Sequence, residues 1–275
     1  MTTGSAGCNK SQADIDASIN TTLREMMIKR TPQQRAIEAL QTENADERRK
    51  ALRDVLRDKQ ATAEWAVKVF ASVAKTDPDP QVRCIAIKGL KKSADERVTE
   101  PLLMILNYKE YPQKVVPPPP EVRWDATEVI SYMSDFGGIP GEHWDWAQRT
   151  LVRLVTDERD RNVRIEAAQG LGNFPHRSAL DALIRALEDR DFAVRDAAEK
   201  SLQRLTGEHH DYDADAWREW LAKTQQPFIA LDEEEAFFQE VPSAEPAKKN
   251  LWQRTMEGTR ELFMMWQGEA KESSK

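Results

Sequence analysis

Cysteine and glycine are both scarce in this chain of 275 residues. Its two cysteines, Cys8 and Cys84, are too few for a disulfide framework. No run of apolar residues approaches the roughly 18 that a membrane-spanning helix needs, so we expect no transmembrane segment. Glycine contributes only 11 residues, and the alternating valine, isoleucine and threonine pattern of strands is almost absent. The composition therefore argues against a fold built on β-sheets.

An excess of basic charge is also missing. The chain carries 47 acidic and 40 basic residues, a formal net charge of −7. Residues 208–245 contain 11 acidic and two basic residues, whereas the first 207 residues are balanced, with 32 of each sign. Proteins that bind nucleic acid usually carry a net basic surface. We therefore expect no nucleic-acid partner.

The first ten residues resemble a processing site. The segment Ser5–Cys8 is similar to the cleavage box of bacterial lipoproteins, although serine stands where leucine is usual. Seven residues before Cys8 leave no room for the apolar segment of about 7–15 residues in a signal peptide. As written, the sequence predicts a cytoplasmic protein in which residues 1–10 form a tail. If translation begins upstream of Met1, Cys8 becomes the lipidated first residue of a cell-envelope lipoprotein, which would then be attached to a membrane.

Self-comparison reveals five copies of one short pattern, spaced 35, 40, 41 and 31 residues apart. The first positions of the copies, taken as offset 0, are Glu47, Val82, Val122, Val163 and Val194. Arginine follows at offset +1 and alanine at +4 in every copy, and a large aliphatic residue stands at +8. Offsets 0, +4 and +8 fall on one stripe of an α-helix, where the central alanine lets a neighbouring helix approach closely. Each copy is therefore expected to be a core-facing helix, the second of a helix pair.

The arginines at offset +1 and the acids that precede them predict a further regularity. The five arginines are Arg48, Arg83, Arg123, Arg164 and Arg195. In three copies, an acid at offset −3 can cap the first helical turn, and these acids are Asp79, Asp160 and Asp191. A second acid, at offset −5, lies in the turn before the helix and is Asp77, Glu158 or Asp189. We expect the acids at offset −5 to pair with the arginine of their own or of an adjacent repeat and to form a ladder along the stack.

This pattern, D-x-D-x-x-V-R-x-x-A-x-x-x-L, resembles HEAT repeats, and among them the bacterial type related to the phycobilin lyases. The resemblance covers residues 32–205 and implies an all-α, HEAT-like α-solenoid of about five helix pairs. The first helices of the pairs are expected at a capping box that begins at Thr31, and over residues 62–74, 95–106, 142–155 and 176–187. The solenoid as a whole is predicted over residues 11–224, with an insertion at 107–120.

Both ends of the stack need a cover, because terminal repeats expose an apolar face. At the amino end, a helix that begins near Ser11 is predicted to supply this cover. At the carboxyl end, Asp213 or Asp215 is predicted to cap a helix whose apolar stripe includes Trp217 and Leu221.

The sides of the second helices that point away from the core predict a binding surface. Offsets +2 and +6 lie about 160° from the core-facing stripe. At offset +2, the middle copies carry Cys84, Trp124 and Ile165, which are apolar where a solvated face would be polar. At offset +6, the same copies carry Lys88, Glu128 and Gln169. We expect these six residues to line a concave groove that binds a protein segment, either a peptide or a helix. Alternatively, the insertion at 107–120 folds over Trp124 and covers it.

The carboxyl-terminal part of the chain differs in character from the repeats. Residues 225–247 are acidic and punctuated by proline, which is typical of a linker. Residues 248–267 are predicted to form an amphipathic helix whose apolar stripe contains Trp252, Met256, Phe263 and Trp266. Such a helix buries its stripe by docking back on the solenoid, on a partner or on a membrane face.

Sequence signatures of catalysis are absent. The chain contains no P-loop, no dinucleotide-binding fingerprint, no serine-hydrolase elbow and no zincin motif. The run His209–Asp215 suggests a metal site, but an EF-hand loop would need glycine at 216 and glutamate at 222, and both are alanine. We therefore expect no metal and no cofactor, and a non-catalytic protein-interaction scaffold. The resemblance leaves two alternatives open: an accessory subunit resembling the bilin lyases, and a DNA-binding or glycosylase protein built from HEAT-like repeats.

Overall fold

A computed structural model describes residues 31–229, and every regular element in this range is helical. The eleven α-helices of this range are α1 (Pro32–Gln41), α2 (Ala45–Arg57), α3 (Glu64–Thr76), α4 (Pro80–Ser93), α5 (Glu96–Leu106), α6 (Pro120–Asp135), α7 (Gly141–Asp157), α8 (Arg161–Leu171), α9 (Arg177–Ala186), α10 (Phe192–Thr206) and α11 (Ala214–Lys223). One turn of 3₁₀-helix, Tyr108–Glu110, lies between α5 and α6. The all-α prediction is confirmed.

The helices begin where side chains supply hydrogen-bond acceptors to the amides of the first turn. Thr31 and Gln34 form the capping box of α1, with Pro32 at its first position. The aspartates at offset −3 accept hydrogen bonds from backbone amides at the starts of α4, α8 and α10. Asp213 caps α11 in the same way. These local hydrogen bonds determine where the second helices start.

The helices form five pairs, and the pairs stack in two layers. The first helices of the pairs, α1, α3, α5, α7 and α9, contact one another in that order along one layer. The second helices, α2, α4, α6, α8 and α10, do the same in the other layer. Because each pair contacts mainly its neighbours in the chain, the described residues form the predicted α-solenoid.

The repeat pattern accounts for the core between the layers. The alanines at offset +4 and the aliphatic residues at +8 are buried in all five second helices, and the four valines at offset 0 are fully buried. Glu47, at offset 0 of the first copy, is exposed and accepts a 2.8 Å hydrogen bond from the Thr42 hydroxyl. The expectation that offset 0 faces the core is therefore wrong in this copy, because a carboxylate stays in water unless it is paired.

The insertion between α5 and α6 packs beside the preceding helix pair. Val115 is buried, and the Val116 amide donates a 2.9 Å hydrogen bond to the carbonyl oxygen of Lys75 at the end of α3. The irregular segment ends at residue 119, because Pro120 already occupies the first turn of α6.

The carboxyl end of the stack is covered by α11, which packs against α9. Trp217 is fully buried, and its indole Nε1 donates a 2.8 Å hydrogen bond to Glu199 in α10. Asp213 rather than Asp215 provides the cap. The predicted tail at 1–10, the helix near Ser11 and the helix at 248–267 lie outside the described residues. Of the predicted linker, the structure describes residues 225–229.

Candidate protein-interaction face

Half-buried and buried arginines connect three of the second helices to the turn that begins the next one. Each guanidinium donates two hydrogen bonds to one carboxylate: Arg48 to Asp77 (2.7 and 2.9 Å), Arg123 to Glu158 (2.8 and 2.9 Å) and Arg164 to Asp189 (2.7 and 3.1 Å). The acid always belongs to the following repeat. Each acid also accepts a hydrogen bond from the backbone amide two residues further on. These bidentate pairs set the register between successive second helices.

The other two arginines do not follow this rule, so the expectation of a ladder through all five is wrong. Pro117 occupies offset −5 of the copy after Arg83. The guanidinium of Arg83 donates instead to the backbone carbonyl oxygens of residues 74, 116 and 117, at 2.7, 3.0 and 3.5 Å. Its Nη2 has no hydrogen-bond partner among the described residues, and burial lowers the pKa of Arg83 to about 10. Arg195 belongs to the last copy and donates to the carbonyl oxygen of Asp189, at 2.7 Å.

Trp124 lies exposed on the second-helix layer, at offset +2 of α6. The residue is 41% exposed, so the insertion before α6 does not cover it. Its indole Nε1 donates a 3.4 Å hydrogen bond to Oε1 of Glu166 in α8. The residues at the same offset in the neighbouring helices, Cys84 and Ile165, are half-buried. The structure thus brings together the three apolar residues of offset +2 in one row across α4, α6 and α8.

Two carboxylates that do not stand at offset +2 or +6 contact the row of apolar residues, one at Trp124 and the other at Cys84. Glu166 approaches the indole from α8, and Asp125 accepts a hydrogen bond from the Cys84 thiol in α4. Burial raises the pKa of both carboxyls, and the hydrogen bonds from Cys84 and Trp124 only partly oppose it. Both residues stand at offset +3 of their copies, one position from the exposed stripe. That shared offset is the sequence signal by which they could have been found.

The residues at offset +6 are polar, and two of them, Lys88 and Glu128, are charged. Lys88 and Gln169 are exposed, and Glu128 is half-buried. Lys91 in α4 places its ammonium 2.6 Å from Oε1 of Glu128, and 5.3 Å from the ring centroid of Tyr132. An ion pair therefore crosses from α4 to α6 on the exposed side. We call the six residues Cys84, Trp124, Asp125, Glu128, Ile165 and Glu166 the Trp124 face.

Exposed aromatic surface continues along α6 beyond the Trp124 face. Tyr132 and Phe136 are 46% and 51% exposed, and their ring centroids lie 5.0 Å apart in an edge-to-face arrangement. Neither residue belongs to the repeat offsets from which the groove was predicted.

The chemistry of the Trp124 face suits binding. Burial, and then the neighbouring Asp125 carboxylate, raise the pKa of the Cys84 thiol to about 12. The thiol is therefore protonated at neutral pH and a weak nucleophile.

Within residues 31–229, no group of three or more histidine, cysteine, aspartate or glutamate side chains is arranged to hold a metal ion. None of the helices in this range is long and apolar enough to cross a bilayer.

Several residues singled out in the sequence cannot be placed on this face, because they lie outside the described part of the chain. They are Cys8, Trp252, Met256, Phe263 and Trp266. Lipidation of Cys8 and docking of the carboxyl-terminal helix stay predictions.

Comparison with known proteins supports a repeat architecture. A family model of HEAT repeats matches residues 149–229. No curated protein matches the chain. The crystal structure of an engineered protein is similar, with 20% identity over 62% of this chain and 77% of that chain, and a TM-score of 0.44. A designed armadillo repeat protein in complex with the peptide (KR)4 is also similar, with 17% identity over 75% of this chain and 95% of that chain, and a TM-score of 0.47.

The family match and the five stacked helix pairs identify the chain as a helical repeat protein. The phycobilin-lyase subgroup and the bacterial origin stay predictions from the sequence.

Proposed function

We propose that this protein is a non-catalytic scaffold that binds a peptide or a helix of another protein on the Trp124 face, on the concave side of the second-helix layer. The observation that carries this proposal is the exposure of Trp124 in the middle of the repeat array. Tryptophan is the residue type most enriched among the energetically dominant contacts of protein interfaces, where charged and polar residues form the rim. Glu128, Lys88 and Gln169 are the polar residues at offset +6 here.

The spacing of the second helices suits an elongated ligand. Packed helices lie about 8–10 Å apart, so the row from Cys84 through Trp124 to Ile165 is on the order of 20 Å long. An extended peptide advances about 3.3 Å per residue, and roughly six residues would cover the row. Half-buried Cys84 and Ile165 then provide apolar surface on either side of the central indole.

A selection from a display library of random dodecapeptides tests this proposal with the full chain as the target. Trp124→Ala removes the central contact, and Phe192→Ala serves as the matched control because Phe192 is exposed but lies at the start of α10. We expect peptides that enrich on the wild type to enrich equally on the control and at least tenfold less on Trp124→Ala.

Folding of the variants is checked by thermal unfolding. Both variants should stay folded. Phe192→Ala should cost about 0.5 kcal/mol or less, whereas Trp124→Ala should cost about 1–3 kcal/mol, because the indole is only 41% exposed and donates a hydrogen bond to Glu166. Peptides that bind the wild type and Trp124→Ala with equal affinity would contradict the proposal, because the ligand would then bind elsewhere.

A further inference from the structure

Two carboxylates of the Trp124 face, Asp125 and Glu166, differ from the acids at the repeat turns. Asp77, Glu158 and Asp189 each receive two hydrogen bonds from an arginine. Asp125 and Glu166 form no ion pair with any residue in 31–229. Their only side-chain hydrogen bonds come from neutral groups, the Cys84 thiol and the Trp124 indole.

Lys88 and Lys91 lower the pKa of Asp125, and Lys91 that of Glu166, but within residues 31–229 neither lysine forms a direct ion pair with these two acids. The Lys91 ammonium is held 2.6 Å from Glu128, and Lys88 is exposed. Placing a carboxylate in a partly desolvated site without a counter-ion is unfavourable, and a cation that arrives with a ligand removes that cost. The same cation meets the face of an exposed indole, the aromatic ring that attracts cations most strongly.

We propose that the protein segment bound on this face carries a lysine or arginine side chain that lies against the Trp124 indole and forms ion pairs with Asp125 and Glu166. This inference rests on the proposed function, and it names the chemistry of the partner. Glu166 extends from α8 to the indole, whereas Asp125 follows Trp124 on α6 and faces Cys84 of α4. A long, flexible cationic side chain can therefore contact both acids while its methylene groups cover the ring.

An acidic ligand would be rejected at the same position. A glutamate placed on Trp124 would add a third carboxylate to the unpaired Asp125 and Glu166, and like charges in a partly dehydrated site repel. The face should therefore discriminate between peptides that differ only in the sign of one charge.

The direct test measures dissociation constants of the full chain by fluorescence polarisation. Three labelled peptides share the sequence Gly-Ser-Leu-X-X-Leu-Ser-Gly, where X is lysine, norleucine or glutamate. We expect the lysine peptide to bind about five- to tenfold more tightly than the norleucine peptide, and the glutamate peptide to bind most weakly.

The variants separate local pairing from the general attraction between a basic peptide and an acidic protein. Asp125→Asn/Glu166→Gln should abolish the preference for lysine over norleucine. Glu142→Gln/Glu208→Gln removes the same charge from exposed positions in α7 and after α10, and should keep the preference. Equal losses in both double variants would overturn the inference, since long-range charge would then explain it.

The outcomes also separate this inference from the proposed function. If the lysine and norleucine peptides bind equally, and both lose affinity in Trp124→Ala, the face binds peptides but the cation plays no part. If no peptide shows binding that depends on Trp124, the proposed function fails and the inference fails with it.

The pH dependence gives a second readout. Binding of a cation requires ionised Asp125 and Glu166, so affinity for the lysine peptide should fall as the pH is lowered from about 7 to about 4. The groups that face these acids from the adjacent helices are Cys84, Lys88 and Lys91, all on α4, and Glu128 on α6. The affinity of Asp125→Asn/Glu166→Gln should change less over the same range. An equal change in both proteins would overturn the inference, since the titrating group would then be another one, such as Glu128.

Discussion

Arg164 in α8 donates two hydrogen bonds to the carboxylate of Asp189, 25 residues further along the chain, at 2.7 and 3.1 Å. The other guanidinium nitrogen donates to the carbonyl oxygens of residues 158 and 159, at the turn before its own helix. One side chain therefore joins the turns that precede α8 and α10. Both members of the pair are largely withdrawn from water, which makes the loss of either partner costly.

Replacing Arg164 by methionine should destabilise the protein by about 3 kcal/mol, because Asp189 would keep its charge without a counter-ion. The control is Arg161→Met on the same helix. Arg161 pairs with Asp191 at 2.7 Å, but its side chain is 55% exposed, so this change should cost about 1 kcal/mol or less. Urea-induced unfolding of both variants measures the difference. Equal losses would show that the Arg164 pair has no special role.

The pair of Arg164 and Asp189 should make the stability of the protein depend on pH. Burial acts to raise the pKa of Asp189, but the hydrogen bonds from Arg164 and from the Asp191 amide outweigh it and hold the pKa below the usual range. A carboxyl whose pKa is lowered in the folded state stabilises it above the unfolded-state pKa, and this stabilisation is lost as the pH falls through the folded-state pKa. The stability gap between the wild type and Arg164→Met should therefore narrow as the pH falls below about 5. A constant gap would contradict this.

A substitution at Pro117 can place an acid beside Arg83, where the repeat pattern lacks one. Pro117 stands at the offset where other repeats have an acid, and its carbonyl lies 3.5 Å from Nη1 of Arg83, whose Nη2 has no partner among the described residues. Pro117→Asp should be more stable than Pro117→Asn by about 1 kcal/mol at neutral pH, because only the aspartate provides a charged acceptor. The asparagine variant controls for the loss of the proline ring. Thermal unfolding in which both variants behave alike would show that this site does not admit a carboxylate.

Gly89 permits close contact between α3 and α4, since a Cβ at this position would lie 2.5 Å from the Phe70 ring. Gly89→Ala should therefore destabilise the protein by about 1–3 kcal/mol, despite the better helix propensity of alanine. Phe70→Leu makes room for the added methyl group, so the double variant should be more stable than the sum of the single effects predicts. Additive effects in denaturant unfolding would show that the two residues do not compete for space.

Removing the charge of Glu166 should stabilise the folded protein. Burial raises the pKa of this carboxyl in the folded state. Over the range between the unfolded and folded pKa values, the folded state binds more protons, so stability falls as the pH rises. Glu166→Gln keeps an acceptor for the Trp124 indole and avoids this loss, so its Tm at pH 7 should exceed that of the wild type. The difference should vanish below about pH 4, and the exposed Glu208→Gln should show none.

Helical periodicity and the repeat offsets predicted the second helices and their buried alanines, because both depend on residues within two turns of one helix. Capping by Asp79, Asp160, Asp191 and Asp213 was equally accessible, since an N-cap bond joins residues two or three positions apart. The same geometry placed Trp124 on the outward side of its helix, but whether the insertion at 107–120 covers it was left open by the sequence.

The local sequence pattern did not predict the contacts between repeats. Whether an arginine meets an acid depends on the residue that stands 25–35 positions later, and the proline segment before α6 removes that acid from Arg83. Likewise, the pairing of Trp124 with Glu166 joins residues 42 positions apart. The amino-acid sequence was sufficient to predict the helix pairs and the sides that face the core, because both follow from the helical periodicity of apolar residues and from capping. Only the stacking of the pairs placed Glu166 beside the indole and Asp125 beside Cys84, because packing across the whole core determines how each helix is rotated against its neighbours.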